Sequence, residues 1–283
     1  MSTSMSLLNH APHLTANQAG FFVRELYGLQ AVATPMPSER DQNFLMMTQL
    51  SEKFVFKVAN ALEDKSLLEA QNLAMAQVNA SQPVCPQVIH TQQGELIAEI
   101  QSPAGTKHFV RLLTYLAGVP LGEIRRQSDD LLRSLGQRVG LVDRALTKFD
   151  HPALHRDFHW DLANASKLVR QYEALIDDAE LRLLVTKLTA IFEQSVAPLL
   201  PTLRTSIIHN DGNNFNVIVR GGDDLDTRNQ QVVGLIDFGD MLHSYTVGGL
   251  AVAIAYAVLD RPDPLRAAEQ VLRGYQLEYP LLE

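Results

Sequence analysis

The 283-residue sequence predicts an α+β fold in two lobes: an N-terminal antiparallel five-stranded sheet with a helix, and a mainly helical C-terminal lobe carrying a β-hairpin. Three observations predict it. Up to Leu113, short β-branched and aromatic runs alternate with turn residues, the pattern of strands. After Pro120 the apolar spacing becomes helical. Later, Val217-Ile218-Val219 and Val232-Val233-Gly234-Leu235-Ile236 flank a Gly/Asp/Asn-rich link and read as a hairpin. The lobes divide as 1–114 and 120–283, with 115–119 as a hinge.

Composition narrows the function. A net charge of −8 with dispersed acidic residues leaves no basic face for nucleic acid. One cysteine, Cys85, excludes an internal disulfide framework and fits a reducing cytoplasm. Residues 1–10 lack the basic and apolar regions of a secretion signal, and no apolar run approaches the ~20 residues of a membrane span. A soluble, cytoplasmic protein without nucleic-acid or membrane partners is expected.

Taken in order, Thr15 and Gln18 form a capping box that opens a helix through Phe21, Phe22, Leu26 and Tyr27, and Gly28 stops it. Thr34-Pro35-Met36-Pro37-Ser38-Glu39-Arg40-Asp41 is a polar, prolyl loop without glycine, a surface turn by composition alone. Segments 43–48 and 53–59 form a hairpin about 49–52. Alternation in Phe54-Val55-Phe56-Lys57-Val58 sets Lys57 opposite Phe56 and Val58, where a lysine is ordinarily a solvated face residue. A helix with Glu69 follows, and Glu63 stands in the polar loop before it. Segments 83–90 and 95–101 are further strands turning at Gln92-Gln93-Gly94, and 108–113 is the fifth.

Helices are expected over 128–149, 161–176 and 179–197. His151, His155 and His159 lie four residues apart in the first connection, a spacing that suits a metal on one helix face. Pro152 and the loop character argue against such a face, and no cysteine accompanies them. Beyond the hairpin, an apolar helix over 246–259 packs as core and another begins at Pro264.

The chemistry concentrates between His209 and Asp240. The first motif reads His209-Asn210-Asp211-Gly212-Asn213-Asn214-Phe215-Asn216, and the second, past the hairpin, Ile236-Asp237-Phe238-Gly239-Asp240. Asp-Gly and Asn-Asn are ordinary turn residues, and a lone Asp-Phe-Gly means little. Two such motifs at predicted strand ends, however, supply the parts of phosphoryl transfer. Asp211 serves the attacking hydroxyl, while Asn216, five residues on, and Asp237 offer oxygen ligands for Mg²⁺. The arrangement is that of a kinase catalytic loop and metal site, and makes the expected fold protein-kinase-like.

With these motifs stand Pro37-Ser38-Glu39-Arg40-Asp41-Gln42-Asn43-Phe44, Arg111-Leu112-Leu113-Thr114-Tyr115-Leu116-Ala117-Gly118, His151-Pro152-Ala153 with Trp160-Asp161-Leu162, and Ile236-Asp237-Phe238-Gly239-Asp240-Met241. Together they resemble the aminoglycoside phosphotransferase/choline kinase superfamily of small-molecule kinases, and within it the hydroxylysine kinase branch. The resemblance implies ATP (or GTP) with Mg²⁺, Asp211 as the catalytic residue, and Asn216 and Asp237 as metal ligands. It puts Lys57 on the α- and β-phosphates with Glu69, in preference to Glu63, as its partner. Ser38, with Arg40, belongs to the loop over the phosphates. Leu113, Tyr115 and Leu116 surround adenine at the hinge, Val55 adding a further apolar contact. His209 either orients the loop backbone or is a satisfied core residue. The family's usual glycine after it is Asn210 here, a residue that tolerates unusual backbone angles. Relatives carry further C-terminal helices and also occur fused to other enzyme domains, so covalent fusion is an open expectation.

The implied acceptor is a small amine: an amino alcohol or hydroxylated amino acid, hydroxylysine first, with homoserine, choline/ethanolamine or an aminoglycoside as alternatives. An ammonium needs carboxylates, for which Asp240, Asp157 and Asp161 are candidates, the last more naturally a helix cap. A substrate carboxylate needs a guanidinium, and Arg156 is the candidate. No dense acidic cluster suits an aminoglycoside, and no Ala-Pro-Glu segment follows Asp237 as in a protein kinase. From another class comes a nucleotide-binding regulatory domain without turnover. The missing glycine-rich loop favours it; the presence of Lys57, Asp211, Asn216 and Asp237 opposes it.

Overall fold

The computed structural model describes residues 10–38, 40–222 and 229–281, and the chain divides into two units, Met1–Leu116 and Ala117–Glu283. Residues 1–9, expected to lack a secretion signal, and the hairpin link 223–228 lie outside the described residues.

In the first unit the Thr15 hydroxyl accepts from Gln18 N while the Gln18 side chain accepts from Thr15 N, opening α1 (Ala16–Tyr27), which Gly28 ends at φ 70°. Six antiparallel strands follow: β1 (Ala31–Met36), β2 (Gln42–Thr48), β3 (Lys53–Val58), β4 (Val88–Ile89), β5 (Ala98–Gln101) and β6 (Lys107–Thr114). Their order is β1-β2-β3-β6-β4, with β5 also on β6. Between β3 and β4 in sequence runs α2 (Lys65–Ser81), capped by Asp64 on Ser66 N. Phe44, Met46, Phe56, Val58, Val110 and Leu112 pack with Ala19, Val23 and Tyr27 of α1, whereas Leu68 of α2 packs with Ala59 and Ile97.

The sheet has one strand more than the expected five. β1 takes up Thr34-Pro35-Met36 and reduces the loop to 37–41. A proline is tolerated there because β1 is an edge strand, with no neighbour on its outer side among the described residues. The strand expected over 83–90 shrinks to Val88–Ile89. Asn79 explains why: its side chain bonds Val84 N, Cys85 N, Cys85 O and Pro86 O, satisfying that backbone without a ladder.

In the second unit β7 (Val119–Pro120) is followed by α3 (Asp129–Leu146), α4 (Ala165–Tyr172) and α5 (Ala179–Ser195). Then come β8 (Thr205–Ile208), β9 (Val217–Val219), β10 (Val232–Leu235), β11 (Leu242–Tyr245), α6 (Val247–Ala257) and α7 (Pro264–Glu278). β10-β9-β7 form one sheet, and β8 pairs with β11. Gly118 enters β7 so close to β9 that a Cβ would sit 2.4 Å from Val219 O, which only glycine avoids. The core joins Leu131, Leu135 and Val139 of α3, Leu250 and Ala253 of α6, and Val271 and Tyr275 of α7 to Val217, Val219 and Val232 of the hairpin. α3 and α7 touch backbone to backbone. A Cβ on Gly136 would lie 1.9 Å from Val271 O, and one on Gly274 1.9 Å from Arg133 O.

The helix expected over 161–176 is shorter than its pattern. Asp161 caps a single 3₁₀ turn, Leu162–Asn164, before α4 begins. The outward side of α5 shows exposed Leu181, Leu184, Leu188 and Ile191. By length and composition alone the stretch Ala179–Thr202 could cross a membrane, against the expectation that no run in the chain could.

Candidate active site

Asp211 and Asp237 are 26 residues apart in sequence, yet two antiparallel ladders in the second unit bring their loops together. Val217 pairs with Leu235, so that Ile236 N donates to Asn216 O at 2.9 Å. On the other side Ile208 pairs with Leu242. The segment 209–216 is therefore fixed at both ends beside the segment 236–241.

His209 ties the two segments internally. Its Nδ1 accepts from Asp211 N at 3.3 Å, which puts the proton on Nε2, and Nε2 donates to Ile236 O at 3.1 Å. The ring is 3% exposed and packs edge-on against Phe238 at 4.7 Å. Burial lowers its pKa, outweighing the nearby charges of Asp237 and Asp240, so the imidazole is neutral. Both alternatives for His209 therefore hold at once: it is buried, satisfied and orienting. Asn210 follows at φ 64°, the left-handed angle asparagine tolerates, and its Nδ2 donates to Trp160 O at 3.2 Å.

The carboxylate of Asp211 is gripped on both oxygens. Asn213 Nδ2 donates to Oδ1 at 2.7 Å, and Asn216 Nδ2 donates to Oδ2 at 2.6 Å. Burial raises the Asp211 pKa, the charges of Asp240 and Asp237 add to the rise, and the two amide bonds oppose it. Asn213 was not read from the sequence as part of the site. Its signal was the Asp-x-Asn spacing, which puts an amide two residues from the carboxylate.

Asp237 sits at φ 60°, with Oδ1 accepting from Gly239 N at 3.2 Å, and opens the 3₁₀ turn Phe238–Asp240. The donor set suits a hard divalent cation. Asn216 gives its amide hydrogens to Asp211, leaving Oδ1 without a hydrogen bond among the described residues, and Asp237 adds carboxylate oxygens.

The acceptor candidates separate. Asp240 is half-buried and close enough to raise the Asp211 carboxyl. Asp157 is exposed, and its Oδ1 accepts from Asn164 Nδ2. Asp161 caps its turn and accepts from Ser244 Oγ at 2.6 Å. Arg156, the candidate for a substrate carboxylate, engages backbone carbonyls beside Asp240. Its Nη2 donates to Gly239 O at 2.8 Å and Met241 O at 2.9 Å, engagements that depend on tertiary contact and leave no trace in sequence. The three histidines hold separate tasks: His151 accepts from Ala153 N, His155 bonds Asp150, and His159 meets Trp160 edge-on.

In the first unit Lys57 faces away from Phe56 and Val58, as the alternation required, in register with Asn43 and Arg111. The expected pairing of Glu69 with Lys57 is a correction. Glu69 lies on the outer side of α2, half in solvent, with Lys65 at 3.9 Å as its ion-pair partner. The helix turns Leu68, Gln71 and Asn72 inward instead, and these meet Arg111, not Lys57. A buried arginine inside the apolar run Phe109-Val110-Arg111-Leu112-Leu113 was the missed signal. Ser38 Oγ accepts from Asn43 Nδ2 at 3.3 Å, and Asn60 clips the same loop by donating to Arg40 O and Asp41 Oδ1. Leu113 is buried in β6; Tyr115 and Leu116 are half-buried, with Lys53 Nζ 5.4 Å from the Tyr115 ring centre.

Residues 32–283 match the model of the phosphotransferase enzyme family. A protein of Xenopus laevis called hydroxylysine kinase is 30% identical over 296 residues, spanning 98% of this chain and 79% of that protein. One of the same name from Danio rerio is 31% identical over 289 residues, spanning 99% and 80%. Among solved structures, an amicoumacin kinase in complex with AMP-PNP, Ca²⁺ and Ami matches with TM-score 0.72 at 12% identity, over 100% of this chain and 82% of that one. A microcompartment-associated aminopropanol kinase gives 0.71 at 17% identity, over 92% and 80%. The two structures speak for the fold.

Proposed function

We propose that this chain, which belongs to the phosphotransferase enzyme family, uses ATP and Mg²⁺ to phosphorylate the hydroxyl of an amino alcohol or hydroxylated amino acid, hydroxylysine first. Its class, a small-molecule kinase, comes with that membership; the nucleotide, the cation, the acceptor and a cytoplasmic location are the inference. The observation that carries it is the Asp211 carboxylate held on both oxygens by Asn213 and Asn216 beside the carboxylates of Asp237 and Asp240.

In this reading Asp211 orients the acceptor hydroxyl and takes its proton as the oxygen attacks the γ-phosphorus. Its two amide bonds stop the carboxylate rotating and keep its charged form available against the burial that disfavours it. Asn216 Oδ1 and Asp237 would hold the divalent cation, which when bound neutralises charge on the phosphates. Lys57 serves the α- and β-phosphates, and Asp240 receives the acceptor's ammonium. The relatives called hydroxylysine kinase support an amine, and so does a carboxylate whose placement beside Asp211 would repel phosphate.

ATP consumption across hydroxylysine, homoserine, choline, ethanolamine and kanamycin tests the reading, with hydroxylysine expected to be the best substrate. Asp240→Asn should raise KM for the amine ~10- to 100-fold, the weight of one charge-assisted contact, and leave KM for ATP nearly unchanged. Equally efficient phosphorylation of a hydroxyl compound without an amine would sink the ammonium assignment.

A further inference from the structure

The turn that carries Asp237 and Asp240 is one 3₁₀ turn of three residues, too short to hold its own shape. Two carboxylates within it also repel each other. Arg156, 81 residues before Asp237 in sequence, contacts this turn. A single nitrogen, Nη2, donates to Gly239 O, in the peptide that leads into Asp240, and to Met241 O, one residue past it. The guanidinium lies over the Phe158 ring at 4.3 Å, and Phe158 is buried against Ile208 and Leu242, the paired residues of β8 and β11. The arginine is therefore seated on an aromatic platform packed onto the ladder that flanks the catalytic loop.

We infer that Arg156 is a positioning residue. It fixes the peptide that precedes Asp240 and the one that follows Met241, so that Asp237 and Asp240 keep their aim before cation or acceptor arrives. It touches neither. The planar guanidinium matters because it lies over Phe158 while one of its nitrogens reaches the two carbonyls; a lysine ammonium offers no such face. The inference rests on the reading of Asp237 as a cation ligand and Asp240 as an acceptor contact.

Amide hydrogen exchange on the metal-free, full-length protein tests it without cation, nucleotide or acceptor. In Arg156→Ala, amides of residues 238–242 should exchange at least ~10-fold faster, while β9 and β10 keep their protection. Mn²⁺ affinity by calorimetry should fall in parallel, ~10-fold, and guanidinium added to the Ala variant should restore part of both. Arg156→Lys, which keeps the charge and guards against a folding failure of the Ala variant, should show the same exchange defect in reduced degree. Unchanged exchange at 238–242 in both variants would overturn the inference. So would a defect confined to acceptor KM, which would return Arg156 to the role of carboxylate receptor. A wrong acceptor class would leave the exchange result standing, so the two failures are distinguishable.

Discussion

At the scale of single residues, Asp143 couples the fold to pH. It lies in α3 with 1% exposure, accepts from the Tyr275 hydroxyl at 2.8 Å, and has its pKa pushed up to about 7 by burial. The Tyr275 bond and the charge of Arg204 only partly oppose that rise. Because the folded value lies above the ordinary 3.8, the folded chain holds a proton that the unfolded chain releases between those values. Stability contributed by this group is thus full at low pH, declines as pH rises from about 4 to about 7, and is flat above. Asp143→Asn keeps an acceptor for Tyr275 and removes the charge, so it should flatten the decline. Urea unfolding at pH 5 and pH 8 reads this directly; the same difference in wild type and variant would clear Asp143 of the effect.

At the scale of elements, the proposed function hangs on the turn after β10. Removing a carboxylate ligand from an oxygen-coordinated cation should abolish the part of ATP binding that depends on magnesium. Titrating ATP calorimetrically into Asp237→Ala with and without Mg²⁺ should show a single, cation-independent affinity; a retained magnesium dependence would move the cation elsewhere. This is also the scale at which the sequence was most readable. The α1 capping box, the β2–β3 hairpin and the β9–β10 hairpin depend on neighbours within a few residues, and their patterns are visible in the chain. Glu69 was misread because its role depends on the phase of α2, which turns Asn72 and Gln71 inward and leaves Glu69 to Lys65. β1 was missed because Pro35 signals a loop unless the strand is known to lie at an edge. Arg156 acts on backbone distant in sequence, through contacts that only the folded chain creates.

At the scale of the whole molecule, the proposed roles divide between the two units: Lys57 of the first serves the nucleotide, and Asp211 of the second serves the hydroxyl. That division predicts opposite kinetic signatures for two single variants. Lys57→Ala removes a cation from the phosphates, so KM for ATP should rise ~10- to 100-fold while KM for the acceptor barely moves. Asp211→Asn keeps the Asn213 bond to its carbonyl oxygen and the Asn216 bond to its backbone carbonyl, gives up the bond from Asn216 to Oδ2, and removes the group that takes the proton. Its kcat should fall ~10²-fold or more with ATP affinity near that of wild type. Steady-state kinetics on the accepted amine, with ATP affinity measured separately by calorimetry, resolves the two. An Asp211→Asn protein that binds ATP as poorly as Lys57→Ala, or retains near wild-type kcat, would show that the hydroxyl chemistry does not reside at Asp211.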